Sequence, residues 1–209
     1  MRILLVDDHA IVRAGLKRLL EDEFRGVEID QAADAAEAEQ RISERAPDLV
    51  VLDISLPGRS GLDLLPEIRA AHPSTHVIVL SSFADVQFAV RAIRDGASAY
   101  LTKERAPREL IEAIRTVSGG RRFIGAELAY QLASLIASDH GGKPHEGLSS
   151  REFEVFRLIA SARSVSDIAR ELGLSVKTVS TYRTRILEKM GMSSNAELMQ
   201  YALRNNLVS

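Results

Sequence analysis

The fold class this sequence predicts is α/β: a doubly wound parallel sheet with helices on both faces, followed by a smaller, all-helical unit. Three observations carry that expectation. Short apolar runs recur near residues 2–7, 27–32, 48–53, 76–81 and 97–101. Helical patterns fill the gaps between them. After residue 148 no strand pattern remains. Strands that alternate with helices build a parallel sheet covered on both sides, and five of them give a flavodoxin-like order.

The apolar runs are continuous rather than alternating. Ile3-Leu4-Leu5-Val6 and Leu49-Val50-Val51-Leu52 are examples, and a strand buried on both faces reads this way. Between them, Val12, Leu16, Leu19 and Leu20 mark one buried stripe of a helix, and Leu110, Ile114 and Val117 mark another. Gly119-Gly120 ends the fifth helix. Residues 125–138 read as a further helix through Leu128, Leu132, Leu135 and Ile136. The stretch 139–147 is polar and rich in Gly, and reads as linker. Four short helices are expected near 149–160, 165–171, 176–189 and 195–203. Ser149 with Glu152, and Ser194 with Glu197, have the spacing of capping boxes. The expected organisation is a domain over 1–118, a linker with a helix over 119–147 and a second domain over 148–209.

Composition narrows the class. The chain has 209 residues and no cysteine, which excludes disulfides and thiolate metal sites. No stretch approaches the ~20 apolar residues of a membrane span, and the N-terminus enters a strand pattern without a signal-peptide layout. A cytoplasmic location fits. Residues 1–118 carry 15 Lys and Arg against 20 Asp and Glu, whereas residues 148–209 carry 9 against 6. An acidic front and a basic rear suggest different partners for the two domains.

Charged residues stand directly after three apolar runs: Asp7 and Asp8 after the first, Asp53 after the third, Lys103 after the fifth. In an open parallel sheet, functional groups gather beyond the carboxyl ends of the strands. Two charges 4 Å apart repel by roughly 4 kcal/mol at an effective dielectric of 20. Such a cluster must bind a cation, take up protons or pair with Lys103. Oxygen ligands without His or Cys favour Mg²⁺.

Val6-Asp7-Asp8, Leu52-Asp53-Ile54-Ser55-Leu56-Pro57-Gly58-x-x-Gly61, Val79-Leu80-Ser81 and Tyr100-Leu101-Thr102-Lys103 resemble, in order and spacing, the receiver domain of bacterial two-component response regulators. The resemblance spans residues 1–118. It implies that Asp53 accepts a phosphoryl group from a sensor histidine kinase. Asp8, Asp53 and the Ser55 backbone carbonyl would ligate Mg²⁺, with Asp7 acting through water. Ser81 and Lys103 would hold phosphoryl oxygens, and Tyr100 would turn inward as a switch. Receivers often have Pro after the lysine; here Glu104 stands in that position.

In the basic unit, Ala169, Gly173 and Val179 have helix-turn-helix spacing. Ala169 allows close helix approach, Gly173 can take a positive φ in the turn, and Ser175 fits an N-cap. A helical wheel with Val179 and Ile186 on the core turns Lys177, Thr181, Thr184 and Glu188 outward, flanked by Ser180 and Arg185. Leu148-Ser149-x-Arg151-Glu152, Ile168-Ala169-x-x-Leu172 and Lys177-Thr178-Val179-x-Thr181 resemble the LuxR-type DNA-binding domain. With the receiver, the chain resembles the NarL/FixJ subfamily. That implies base-edge contacts from Ser180, Thr181 and Thr184, and phosphate contacts from Lys177, Tyr182 and Arg185, with promoter DNA as partner and a homodimer when phosphorylated. Many relatives have a basic residue where this chain has Ser180 and His where it has Tyr182, so phosphate attraction here is expected to be weaker. In the last helix, two of Leu198, Met199, Ala202 and Leu203 suffice to cover a small core, and the resemblance implies a homodimer contact for the others.

Two other readings stand beside this one. Aspartyl-phosphate hydrolases also use a strand-end Asp, but typically carry a second Asp two residues on; here that residue is Ser55. A DNA-binding protein with a silent receiver is the other.

Overall fold

The computed structural model describes residues 1–82, 86–126, 128–130, 143–205 and 207–208. The chain forms two compact units, Met1–Ala137 and Ser138–Ser209. No described helix is long and apolar enough to cross a membrane.

In the first unit five parallel strands, β1 (Arg2–Val6), β2 (Glu28–Ala32), β3 (Leu49–Asp53), β4 (His76–Ser81) and β5 (Ala99–Thr102), pair in the order β2-β1-β3-β4-β5. This is the doubly wound order expected from the alternation. Helices α1 (Ala10–Glu23), α2 (Ala35–Glu44), α3 (Gly61–Ala71), α4 (Val86–Arg94) and α5 (Ala106–Ser118) follow the strands in turn. β3 is buried at every residue, whereas the edge strand β2 is half-covered. That difference explains why the central runs are continuously apolar. Ile3, Leu5, Val51, Ile78, Leu80 and Leu101 meet Leu16 and Leu20 of α1 and Leu110, Ile114 and Val117 of α5 in one core. Both helical stripes are therefore where the sequence puts them, though Leu19 is only half-buried.

Register aligns the strand ends. Val6 pairs with Leu52, Asp53 with Leu80 and Ser81 with Thr102. Asp7, Asp53 and Lys103 therefore emerge along one edge. Two glycines shape the loop that follows β3, for different reasons. Gly58 has φ +75 with open space around it. Gly61 has no such φ, but a Cβ there would stand 1.9 Å from the Asp53 carbonyl oxygen.

The second unit packs α6 (Ser150–Ala160), α7 (Val165–Glu171), α8 (Val176–Met190) and α9 (Asn195–Arg204) around Phe153, Phe156, Ile168, Val179, Ile186 and Leu198, all fully buried. Ser149 and Glu152 form a complete capping box. Ser194 caps α9 through Glu197 N–H, but the Glu197 carboxylate accepts from Ser193 N–H instead of closing the expected box. The segment read as linker is not all linker. Pro144–Gly147 forms a 3-10 turn whose His145 is fully buried. Its Nδ1 lies 2.7 Å from the Tyr201 hydroxyl, and its ring stacks on Phe153. Pro and Gly signalled a loop and hid the aromatic contact between them. The helix expected over 125–138 falls mostly outside the described residues.

The loop geometry separates two substitutions. Gly61→Ala is expected to lower the unfolding free energy by about 2–4 kcal/mol, because the new methyl meets backbone. Gly58→Ala is expected to cost only about 1–2 kcal/mol, the cost of left-handed backbone alone. Urea unfolding of the full chain, followed by a receiver-specific probe, measures the difference; equal losses would contradict it.

Candidate functional site

The crevice beyond β1, β3 and β5 is held together by one ammonium. Lys103 Nζ lies 2.7 Å from Asp7 Oδ2 and 2.8 Å from Asp53 Oδ2. The sheet delivers it there, since the Lys103 N–H donates to the Ser81 carbonyl at 2.8 Å, continuing the β4–β5 ladder. The turn after Lys103 closes through Arg105 N–H to the Thr102 carbonyl at 3.0 Å, without a proline at 104. Asp53 and Ser81 are fully buried, and Asp7 is nearly so. Asp8 is more open, with its side chain 33% exposed. Ser55 is partly covered, two residues beyond Asp53.

Burial dominates the electrostatics of Asp53 and pushes its pKa up to about 6; Lys103 opposes the rise and Asp7 adds to it. Lys103 shows the reverse balance. Burial works against its charge, but Asp53 and Asp7 outweigh it and hold the ammonium above the usual lysine range. Asp53 Oδ1 is buried with no well-aligned hydrogen-bond donor, the Ser55 N–H acting on this carboxyl only weakly. A buried carboxylate oxygen left in that condition is costly and is suited to a cation.

Asp7, Asp8, His9 and Asp53 can each bring one ligand atom within 4.8 Å of the others. His9 is an addition that the sequence reading missed. The pocket was expected to hold oxygen ligands without histidine, yet His9 Nδ1 lies 2.6 Å from Asp8 Oδ1 and 3.2 Å from Asp7 Oδ1. Its position directly after the acidic pair was the available signal. The His9 N–H also donates to Asp7 Oδ1 at 2.8 Å, and the Arg13 guanidinium to the Asp7 carbonyl. These contacts fix Asp7 as a wall of the pocket. Tyr100, the second residue of β5, is only 5% exposed.

A second candidate surface lies on α8. Val179 and Ile186 are fully buried, whereas Lys177, Ser180, Thr181, Thr184, Arg185 and Glu188 are exposed and Tyr182 is half-covered. Lys177, Thr178, Thr181, Tyr182 and Arg185 line a shallow concavity of about 290 Å³. Arg183 is turned away, its Nε donating to Asn195 Oδ1 at 2.6 Å. The turn before α8 has the expected construction. Gly173 takes φ +62, and the Ser175 hydroxyl caps α8 by accepting from Thr178 N–H at 3.0 Å. On α9, Leu198 and Ala202 are buried, while Leu203 is 58% exposed.

Comparison with known proteins agrees with both halves. Residues 3–115 match the response regulator receiver domain family, and residues 146–202 match the luxR family of bacterial regulatory proteins. The oxygen regulatory protein NreC of Staphylococcus carnosus is 34% identical, over all of this chain and 99% of its own length. Among solved structures, a LuxR-family two-component response regulator from Aurantimonas sp. SI85-9A1 is 38% identical over 66% of this chain and 98% of that one, with a TM-score of 0.62. RcsB from Salmonella enterica serovar Typhimurium, bound to the promoter rprA in the presence of phosphomimetic BeF3-, is 26% identical over 96% of this chain and 98% of that one, with a TM-score of 0.63. An α/β receiver ending in a buried Asp–Lys pocket, joined to a helix-turn-helix unit and matched along its whole length, places this chain among the two-component response regulators of NarL/FixJ type.

Proposed function

We propose that Asp53 is the phosphoacceptor of this regulator and that its phosphorylation, by a sensor histidine kinase, controls promoter binding by α8. The observation that carries this reading is the buried Asp53 carboxylate, bonded to Lys103 through one oxygen and left without a good donor on the other. In the transfer, an Asp53 oxygen attacks the phosphorus of phosphohistidine; the P–O bond forms as the P–N bond breaks, and imidazole leaves. Asp8, Asp53 and the Ser55 carbonyl would hold Mg²⁺, with Asp7 acting through water. When bound, that ion supplies neutralisation of the charge on the transferred group. Lys103, a compact cation at the pocket wall, can follow the new phosphoryl oxygens without leaving Asp7. The Ser81 hydroxyl is the neutral donor, at the end of the neighbouring strand β4.

The added group carries about 1.5 to 2 negative charges. It draws Ser81 and Lys103 toward Asp53 and so disturbs β4 and β5, where Tyr100 lies. The regulator works in the bacterial cytoplasm, where its kinase and DNA are, and accepts the phosphoryl group on itself instead of turning over a substrate. Dimers form on phosphorylation and bind paired half-sites. On DNA, Ser180, Thr181 and Thr184 face base edges, and Lys177, Tyr182 and Arg185 hold phosphates.

Three outcomes are expected. Incubation with acetyl phosphate and Mg²⁺ adds one phosphate by intact mass, and Asp53→Ala abolishes the gain; an unmodified wild-type chain would overturn the assignment. Metal-free stability reports the pocket separately. Asp53 has a raised pKa, so the folded chain binds its proton more tightly than the unfolded chain does. That contribution to stability is full below about pH 4 and is lost as pH rises through about 6. Asp53→Asn retains it, so the variant is expected to gain up to about 3 kcal/mol over wild type at pH 7 and nothing at pH 4. A gap that does not change with pH would contradict the burial argument. Finally, Lys177→Ala and Arg185→Ala should each weaken binding to unrelated duplexes alike and reduce the salt slope by about 1, as measured by fluorescence anisotropy across a salt series.

A further inference from the structure

Two of the outward hydroxyls of α8 have no proton to offer a base edge. Thr181 Oγ1 donates to the Lys177 carbonyl at 3.0 Å, and Thr184 Oγ1 donates to the Ser180 carbonyl at 3.1 Å. Both side chains are exposed. They stand three residues apart and so share a face. Helical threonines often bond the carbonyl one turn back. A hydroxyl has a single proton, and here each proton is committed to the helix backbone. What each threonine turns outward is its Cγ2 methyl, beside a hydroxyl that can only accept.

The donors that remain on this face belong to other residues, the Ser180 hydroxyl and the Lys177 and Arg185 cations. Residues Val176–Met190 contain no Asn, Gln or His. Arg183 is held by Asn195, and Lys189 Nζ lies 2.6 Å from Glu152 Oε2. Lys177 and Arg185 remain as the cations beside the threonines, at the rim of the concavity.

Base edges in the major groove differ in what they ask for. Guanine shows two acceptors, N7 and O6, and requires donors. Thymine shows a methyl group, and adenine N6 offers a donor. A methyl beside an accepting hydroxyl is mismatched to guanine and complementary to T·A, so the pairs met by the two threonines differ from those within reach of Ser180, Lys177 and Arg185. We infer that Thr181 and Thr184 are specificity-determining residues that read the C5 methyl groups of thymine, so that the half-site carries A·T pairs beneath them. The inference rests on the reading of α8 as the helix that enters the groove.

The test uses the full chain treated with acetyl phosphate and Mg²⁺. It selects duplexes from a library with a randomised centre, and the enriched duplex is remade with deoxyuridine replacing each thymine in turn. Loss of one methyl contact is expected to weaken binding about threefold to fivefold at one or two positions, with the other positions neutral. Thr181→Val and Thr184→Val keep the methyl and drop the hydroxyl; they should bind the thymine duplex within about twofold of wild type. Thr181→Ser and Thr184→Ser keep the hydroxyl and drop the methyl. They should lose the same three- to fivefold on the thymine duplex and nothing further on its deoxyuridine counterpart. Circular dichroism verifies that each variant keeps its helix content. Deoxyuridine that is neutral everywhere, or valine variants that fail where serine variants bind, overturns the inference alone, provided Lys177→Ala still weakens binding. If Lys177→Ala leaves binding and its salt slope unchanged, or if no duplex is enriched, the inference falls together with the reading of α8.

Discussion

The receiver unit is organised around a single ammonium shared by two buried carboxylates. Lys103 is brought to Asp7 and Asp53 by sheet register, and no other cation contacts Asp53 among the described residues. Without it, the two acids would repel each other in a low-dielectric crevice, and burial has already raised the pKa of Asp53. The pairing is nevertheless incomplete. One positive charge faces two carboxylates, with Asp8 nearby and partly open to water. An under-neutralised pocket of this kind is stable enough to fold and still attracts further positive charge. The strand ends therefore do more than locate the site; they set its charge balance.

The second unit solves a different problem, that of presenting one helix rigidly from a small core. Its devices are local. Ser149, Ser164, Ser175 and Ser194 each cap a helix by accepting a backbone N–H. A buried ion pair, Arg151 with Glu154 at 2.6 Å, also reaches the Leu172 carbonyl at 3.0 Å, the residue that closes α7. Breaking one partner of a buried pair leaves an uncompensated charge, so this contact ties α6 firmly to the turn of the helix-turn-helix. The turn in turn fixes where α8 begins.

Much of this was legible in the sequence, because the relevant physics is local. A strand buried on both faces must be apolar throughout, so the five runs and the charged residues after them stood out together. Capping serines and the 3.6-residue stripe marked the helices. What stayed hidden depends on where particular side chains point. His9 joins the acidic pocket through backbone geometry that no periodicity encodes. His145 looked like a linker residue because its neighbours are Pro and Gly, yet it is buried against Phe153 and Tyr201. The backbone donor to the Glu197 carboxylate moved one residue, from the Ser194 N–H to the Ser193 N–H, a shift that spacing rules cannot resolve.

The close approach of Gly61 to the Asp53 carbonyl has a mechanical corollary. The Gly61 N–H also donates to the Ile54 carbonyl at 2.8 Å, and the Ser60 hydroxyl bonds the same oxygen. The floor of the crevice is thus clamped in place on the β3 side. The height of that floor beneath the Asp53 carboxylate is therefore written partly by an absent methyl group.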